Sequence, residues 1–295
     1  MKPIHIALGV FCMLIWGFNF VMIKIGLDGV PPLLFTAERF VLACLPALFL
    51  PRPSGLTWPR LIGISSFLFL GQYVFLFVAM SHGMPPGLAS ITLQIQAFLT
   101  MIIATLTLGE RPEARQVFGA VLAFLGLGVI AATTGSGTDI PLLAIGLVFG
   151  AALSWATGNV LLKRAGPGAG GGTLAGVAWL SLVPPLPALA LSLIFETPER
   201  VMASITHMTM MSGVALFYIV ALSTWLGFII WGKLMALYPA STVAPFTLLV
   251  PFFGASFSAL VLGESFAPMR LIGAALIVAG LAAIALRRRS ADSSS

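Results

Sequence analysis

Two side-chain amides lie inside apolar runs beside indole rings. Asn19 follows Trp16 in Trp16-Gly17-Phe18-Asn19-Phe20-Val21-Met22-Ile23-Lys24, and Asn159 follows Trp155 in Trp155-Ala156-Thr157-Gly158-Asn159-Val160-Leu161-Leu162-Lys163. In each copy a lysine closes the stretch eight residues after the tryptophan. An amide in hydrocarbon needs a hydrogen-bond partner, and it offers both a donor and an acceptor. Beside an indole, such a group suits the binding of a small polar solute rather than bond-breaking chemistry. Helical spacing puts Cys12, Trp16, Asn19 and Ile23 on one face, and Trp155, Asn159 and Lys163 on another. Gln72, Ser90, Gln94 and Gln96 are further neutral polar groups in apolar surroundings. Ser90 and Gln94 share a face with Gly87 and Ala97, whereas Gln96 lies about 200° around the helix from Gln94. An ideal helix therefore aims only one of these two glutamines at a cavity, and the small-residue face favours Gln94. The competing reading for every one of these groups is interhelical packing, with the amide bonded to a neighbouring backbone.

Other kinds of chemistry have little to work with. The sequence holds no pair of carboxylates, no histidine cluster at metal spacing and no glycine-rich phosphate loop, so neither an enzyme nor a metal or cofactor site is expected. Gly254-Ala255-Ser256-Phe257 matches an intramembrane serine-protease motif only loosely, because the glycine after the serine is missing and no histidine follows. Glu38-Arg39 opens an apolar run and is expected to form an ion pair or a gate on the outer side. Lys24, Lys163 and Lys233 sit at run ends, where long stems reach the membrane interface. Pro46 and Pro185 are expected to bend helices that move. Pro245 and Pro251 each remove a backbone donor and free a carbonyl, which serves either a gating kink or the binding of a substrate ammonium.

These residues need apolar elements to hold them, and the composition supplies little else. Hydrophobic residues make up 59% of the chain, charged residues 8%, and the mean hydropathy is +1.07. A soluble domain carries about 25% charged residues, so a water-facing surface cannot be built from this chain. Ten runs are long enough to be candidate spans of a hydrocarbon layer roughly 30 Å thick: residues 4–25, 33–50, 61–81, 87–108, 116–132, 141–162, 173–195, 212–233, 241–262 and 269–286. The first is longer than a signal-peptide core and is read as a retained helix. The longest connection, 196–211, is expected to be a loop. Cys12 and Cys44 lie within apolar runs, so no disulfide framework is expected. The net charge of +6 reflects topology rather than nucleic-acid binding. With the amino terminus inside, eleven Lys and Arg fall on the inner side and four on the outer, which predicts two cytoplasmic termini. Residues 290–295 are expected to be a disordered cytoplasmic tail.

The chain reads as a duplication. Trp16 and Trp155, Lys24 and Lys163, and Pro46 and Pro185 are each 139 residues apart. Later the offset becomes 154, for Pro85 with Pro239, Leu108-Gly109-Glu110 with Leu262-Gly263-Glu264, and Gly119 with Gly273. One insertion in 196–211 accounts for the change. The expectation is an all-α integral membrane protein of ten transmembrane helices, arranged as two five-helix repeats over 1–135 and 136–289. An odd number of helices per repeat inverts one against the other, a signature of secondary transporters.

Nearly the whole chain resembles the EamA type of the drug/metabolite transporter superfamily. The resemblance rests on the paired halves, Trp16-Gly17-Phe18-Asn19, Phe35-Thr36-Ala37-Glu38-Arg39-Phe40 and both Leu-Gly-Glu motifs. Gly83-Met84-Pro85, Gly87-Leu88-Ala89-Ser90, Gln94-Ile95-Gln96-Ala97-Phe98, Ser154-Trp155-Ala156-Thr157-Gly158-Asn159 and Leu248-Leu249-Val250-Pro251 are most similar to the bacterial exporters of O-acetylserine and cysteine. The resemblance implies a multi-pass inner-membrane exporter of amino acids or related small metabolites. It implies a cavity among the first, third, fourth, sixth, eighth and ninth segments, to which Trp225 and Tyr218 are weaker additions. Its partners would be a small-molecule substrate and the lipid bilayer, with a monomer sufficient. A broad exporter of drugs or aromatic compounds is the alternative, followed by a channel and a membrane scaffold without transport.

Overall fold

The computed structural model describes residues 1–109, 112–132, 140–170, 172–206, 209–238 and 243–285. Among these residues the regular structure is helical throughout. Helices α1 (Pro3–Leu27), α2 (Pro32–Ala43), α3 (Trp58–Ser81), α4 (Pro86–Leu108) and α5 (Ala114–Ala132) precede α6 (Leu142–Ala165), α7 (Leu174–Phe195) and α8 (Pro198–Thr206). Then come α9 (Met210–Leu237), α10 (Leu249–Leu262) and α11 (Pro268–Ala285). Proline opens several of them, at Pro3, Pro32, Pro86 and Pro198, where its missing N–H has no partner to lose. Both α4 and α10 stop at a left-handed glycine, Gly109 and Gly263, each with φ of 68°, a conformation that side chains with a Cβ adopt at a cost.

Among the described residues seven helical segments are long and apolar enough to cross a membrane: α1, α3, α4, α5, α6, α9 and α7, the last counted across its break. The chain is therefore a multi-pass membrane protein. Outward faces carry exposed Leu106, Leu125, Leu186 and Leu260, the side chains that lipid solvates.

Three expected spans come out interrupted, each at a proline. Run 33–50 gives the 12-residue α2 and then a 3₁₀ turn, Leu45–Leu48, that contains Pro46. At 1.5 Å per residue α2 is about 18 Å long. Run 173–195 is two pieces, Leu174–Leu180 and Pro185–Phe195; Pro185 opens the second piece and so breaks the helix rather than bending it. Within run 241–262 the 3₁₀ turn Ala244–Leu248, at Pro245, precedes the helix that starts at Leu249; residues 241 and 242 lie outside the described residues. The expected loop 196–211 instead contains α8, which buries Val201 and Ser204 and exposes Met202. Glu110, Arg111, Pro239, the 135/136 boundary and the tail 290–295 lie outside the described residues.

Close helix approach is set by glycine. Helices α5 and α11 pack antiparallel, with Gly119 on Gly280 and Gly126 on Gly273; a Cβ on Gly119 would come within 2.6 Å of the Gly280 carbonyl oxygen, and one on Gly126 within 2.5 Å of that of Gly273. Helix α1 runs parallel to α10, Gly9 facing Phe246 and Gly17 facing Phe253 and Gly254. Small residues let backbones approach where lipid supplies no hydrophobic drive.

Two carboxylates tie the helix ends together. Glu196, after α7, accepts from the N–H groups of Leu33 (2.5 Å) and Leu34 (3.0 Å) at the start of α2, and from Ser192 Oγ (2.6 Å). Glu264, after α10, accepts from the N–H groups of Gly87 (2.8 Å) and Leu88 (3.2 Å) at the start of α4, and from Ser258 Oγ. Each satisfies donors that a helix start leaves open.

Candidate functional site

A cavity of about 790 Å³ lies inside the bundle. Helix α1 contributes Trp16, Asn19 and Phe20, and α6 contributes Trp155, Asn159, Leu162 and Lys163. The two tryptophan–asparagine faces thus meet at one space. Helix α3 adds Gln72 and Tyr73, α4 adds Gln94, Gln96 and Thr100, and α9 adds Ser223, Phe228 and Trp231. Thr247 and Val250 complete the wall beside α10, and Gly166 and Gly172 of the α6–α7 connection line one end.

Irregular helix turns position several of these groups. Helix α9 widens to a π segment at Tyr218–Leu226, and π turns expose backbone groups that a regular helix would use internally. The Ser223 carbonyl in that segment accepts from Trp16 Nε1 at 3.0 Å. Gly227 makes room for the indole, because a Cβ there would come within 2.5 Å of Trp16 Nε1. Phe228 and Trp231 hold the other sides of the ring, with centroids 5.6 Å away in both cases. Trp16 is thereby a fixed wall.

Both Gln94 and Gln96 line the cavity. The reason is the 3₁₀ turn Leu93–Ile95 inside α4. With about 3.0 residues per turn, the two side chains stand about 120° apart by the short way instead of about 160°. They differ in bonding. Gln94 Nε2 donates to the Thr247 carbonyl at 3.2 Å, the carbonyl four residues before Pro251, which has no N–H to reach it. Gln96 Oε1 is buried with no partner, as are Asn19 Oδ1 and Gln72 Oε1.

Not every expected residue reaches the cavity. Ser90 faces helix packing: its Oγ donates to the Gly87 carbonyl at 2.7 Å, and its side chain presses on Gly254. Trp225 Nε1 donates to the Ala43 carbonyl at 3.1 Å, and Tyr218 OH to the Ile15 carbonyl at 3.0 Å, so both join helices outside the lining. Pro251 occupies the first turn of α10, Pro46 and Pro185 mark helix breaks, and the side chain of Pro245 lies outside the described residues. Lys24 pairs with Asp28 at 2.9 Å on the surface. His82 lines a separate cleft of about 1010 Å³ with Asp28 and Glu196.

Arg39 departs furthest from expectation. It forms no ion pair with Glu38; it is 2% exposed and lines the cavity. Its guanidinium lies over the Tyr73 ring, 3.7 Å from the centroid, and Nη2 donates to Thr224 Oγ1 at 3.1 Å. Thr224 Oγ1 in turn donates to the Ile219 carbonyl at 2.8 Å, five residues back in the π segment. The sequence marks Arg39 by type alone. Its direction is set by its neighbours, Tyr73 of α3 and Thr224 in the π segment of α9.

Comparison with known proteins places the chain. It matches the model of the EamA-like transporter family over residues 3–132 and 142–286 and belongs to that family. It is 38% identical over 277 residues to a "Probable amino-acid metabolite efflux pump" of Salmonella typhimurium, covering 93% of this chain and 92% of that protein. It is 35% identical to a protein of the same name from Escherichia coli strain K12, again over 93% and 92% of the two chains. A "Probable terminal-alkyne amino-acid exporter" of Streptantibioticus cattleyicolor is 25% identical, over 92% of this chain and 90% of that one. One crystal structure aligns over 96% of this chain and 97% of its own at a TM-score of 0.64 and 18% identity, a likeness of fold alone.

Proposed function

We propose that this chain exports amino acids or related small metabolites across the bacterial inner membrane by alternating access. The carrying observation is the cavity whose walls combine Trp16 and Asn19 with Trp155 and Asn159. Aromatic faces beside a few convergent polar groups suit a small amphipathic solute. The names of the Salmonella, Escherichia and Streptantibioticus relatives support an amino-acid substrate class. A cavity contained within one chain makes a monomer sufficient. No acidic side chain lines it among the described residues, which disfavours the alternative of a broad exporter of organic cations.

The same reading gives ten spans in two inverted halves, 1–135 and 136–289, with both termini cytoplasmic. Support comes from α5 and α11. Gly119 and Gly126 lie 154 residues before Gly273 and Gly280, and each contacts the other pair's member in antiparallel order. Equivalent helices crossing head to tail at equivalent residues are what a two-fold axis in the membrane plane produces. The shorter α2, α10 and α11 count as spans in this scheme, and the cavity end at Gly166 and Gly172 faces the cytoplasm.

Counterflow in proteoliposomes tests the proposal. Liposomes carrying the purified protein are loaded with one unlabelled L-amino acid at a time and diluted into trace radiolabelled solute. Transient uphill uptake of label is expected for at least one amino acid, and weaker apparent affinity or turnover for Trp155→Ala and Asn159→Ala. Saturable counterflow cannot arise from a pore, so downhill flux alone would point to a channel. Unchanged kinetics in both variants would remove those residues from the site.

A further inference from the structure

Within that proposed transport reading, we propose that Arg39 is the carboxylate-binding residue of the cavity and selects solutes with a free carboxylate. Its guanidinium has three nitrogens, and the structure engages one, Nη2 on Thr224. Nε and Nη1 are buried with no partner, on a side chain 2% exposed that lines the cavity. Among the described residues no carboxylate pairs with it; the ion pairs there are Lys24–Asp28 and Arg115–Glu113.

A buried guanidinium without a counter-charge is costly, and charges within a membrane protein face one another or a path for solutes. The surroundings of Arg39 fix its position without neutralising it. The Tyr73 ring supports one face of the guanidinium. The Thr224 hydroxyl accepts one N–H while itself held by the π segment of α9. The result is a pre-positioned cation with donors left over, which suits a carboxylate.

The rest of the lining has the complementary character. Asn19 Oδ1 and Gln72 Oε1, on side chains 8% and 4% exposed, and Gln96 Oε1 are acceptors without partners on the same cavity. One fixed cation and three neutral acceptors match a zwitterion: the carboxylate accepts from Arg39, and the ammonium donates to amide oxygens. A decarboxylated amine leaves the Arg39 donors unanswered, and a carboxamide offers them one neutral carbonyl oxygen in place of two charged ones.

The test uses whichever L-amino acid gives counterflow in the panel above, with its α-amide and its methyl ester as competitors. In the wild type the acid should compete about tenfold or more better than the amide, the scale of one charge-assisted hydrogen bond. In Arg39→Gln, and in Arg39→Met, which keeps the stem against Tyr73, that ratio should fall to near one. Loss of structure alone would weaken all three competitors together, so the acid-to-amide ratio separates the two roles. An amide that competes as well as the acid in the wild type overturns the inference, and so does a wild-type ratio in either folded variant. In those cases counterflow persists and the transport reading stands. Absence of counterflow with every amino acid removes the transport reading and this inference with it.

Discussion

Gln94 and Gln96 both reach the cavity, yet they do different work. Gln94 gives its N–H to the Thr247 carbonyl, a group that Pro251 cannot serve, and so it links α4 to the segment entering α10. Of the carbonyls that Pro245 and Pro251 deprive of a helical N–H, that of Thr247 takes a protein amide, and that of residue 241 lies outside the described residues. Gln96 keeps a buried oxygen without a partner. The contrast leads to opposite outcomes for the same substitution. Gln94→Leu loses an interhelical bond and should lower stability by about 1 kcal/mol. Gln96→Leu replaces an unanswered acceptor with an apolar group, a change that can be neutral or stabilising, and should weaken apparent substrate affinity. Thermal unfolding of the purified variants in detergent, read beside counterflow, separates them. Equal melting temperatures for the two variants would show that the Gln94 bond does not join the helices.

At the scale of elements, irregular turns fall at corresponding places in the two segments that match the family, 3–132 and 142–286. Helices α3 and α9 each contain a π segment, Ser66–Gly71 and Tyr218–Leu226. The 3₁₀ turn Leu93–Ile95 in α4 corresponds at the 154 offset to residues 247–249, at the junction of Ala244–Leu248 with α10. These departures carry Gln94, Thr247, Ser223 and Thr224 to their partners. Regular crossings behave differently and rest on glycine. Gly126→Leu forces a side chain into the Gly273 backbone and should cost about 1–3 kcal/mol as overpacking. Gly128→Leu, on the same helix with open space at its Cβ position, should leave the melting temperature near wild type. A melt that is equally low for both would remove the α5–α11 crossing as the cause. The paired Trp–Asn faces and the membrane class were legible in the sequence, because residue type and a 3.6-residue period determine them. The roles of Gln96 and Arg39 were not. They depend on a local turn of 3.0 residues in α4 and on the π segment of α9 that holds Thr224, and apolar sequence carries no period that distinguishes these from ideal helix. Ser90 reads as lining for the converse reason: a polar group on a small face serves a neighbouring backbone as well as a solute. Trp225 reads as lining only through the family resemblance.

For the whole molecule, the proposed orientation rests on charge and on one crossing. Helix α3 has 24 residues, about 36 Å at 1.5 Å each, enough to separate its flanking connections by a bilayer. The connection before it carries Arg52, and Arg60 sits in its first turn. The connection after it, 82–85, carries no Lys or Arg. With basic residues retained on the cytoplasmic side, the proposal puts Ser54 in the cytoplasm and His82 outside, both exposed in the structure. The native thiols are suited to replacement: Cys12 is buried with its Sγ toward the Gly227 carbonyl, and Cys44 is half-buried. In a background with Cys12→Ala and Cys44→Ser, a membrane-impermeant maleimide should label Ser54→Cys in inside-out vesicles and His82→Cys in right-side-out vesicles, with little reaction in the opposite preparations. The reverse pattern would place both termini outside, and the cavity end at Gly166 and Gly172 would then open away from the cytoplasm. Labelling of both positions from one side would deny that α3 crosses the membrane, and with it the inverted arrangement of the two halves.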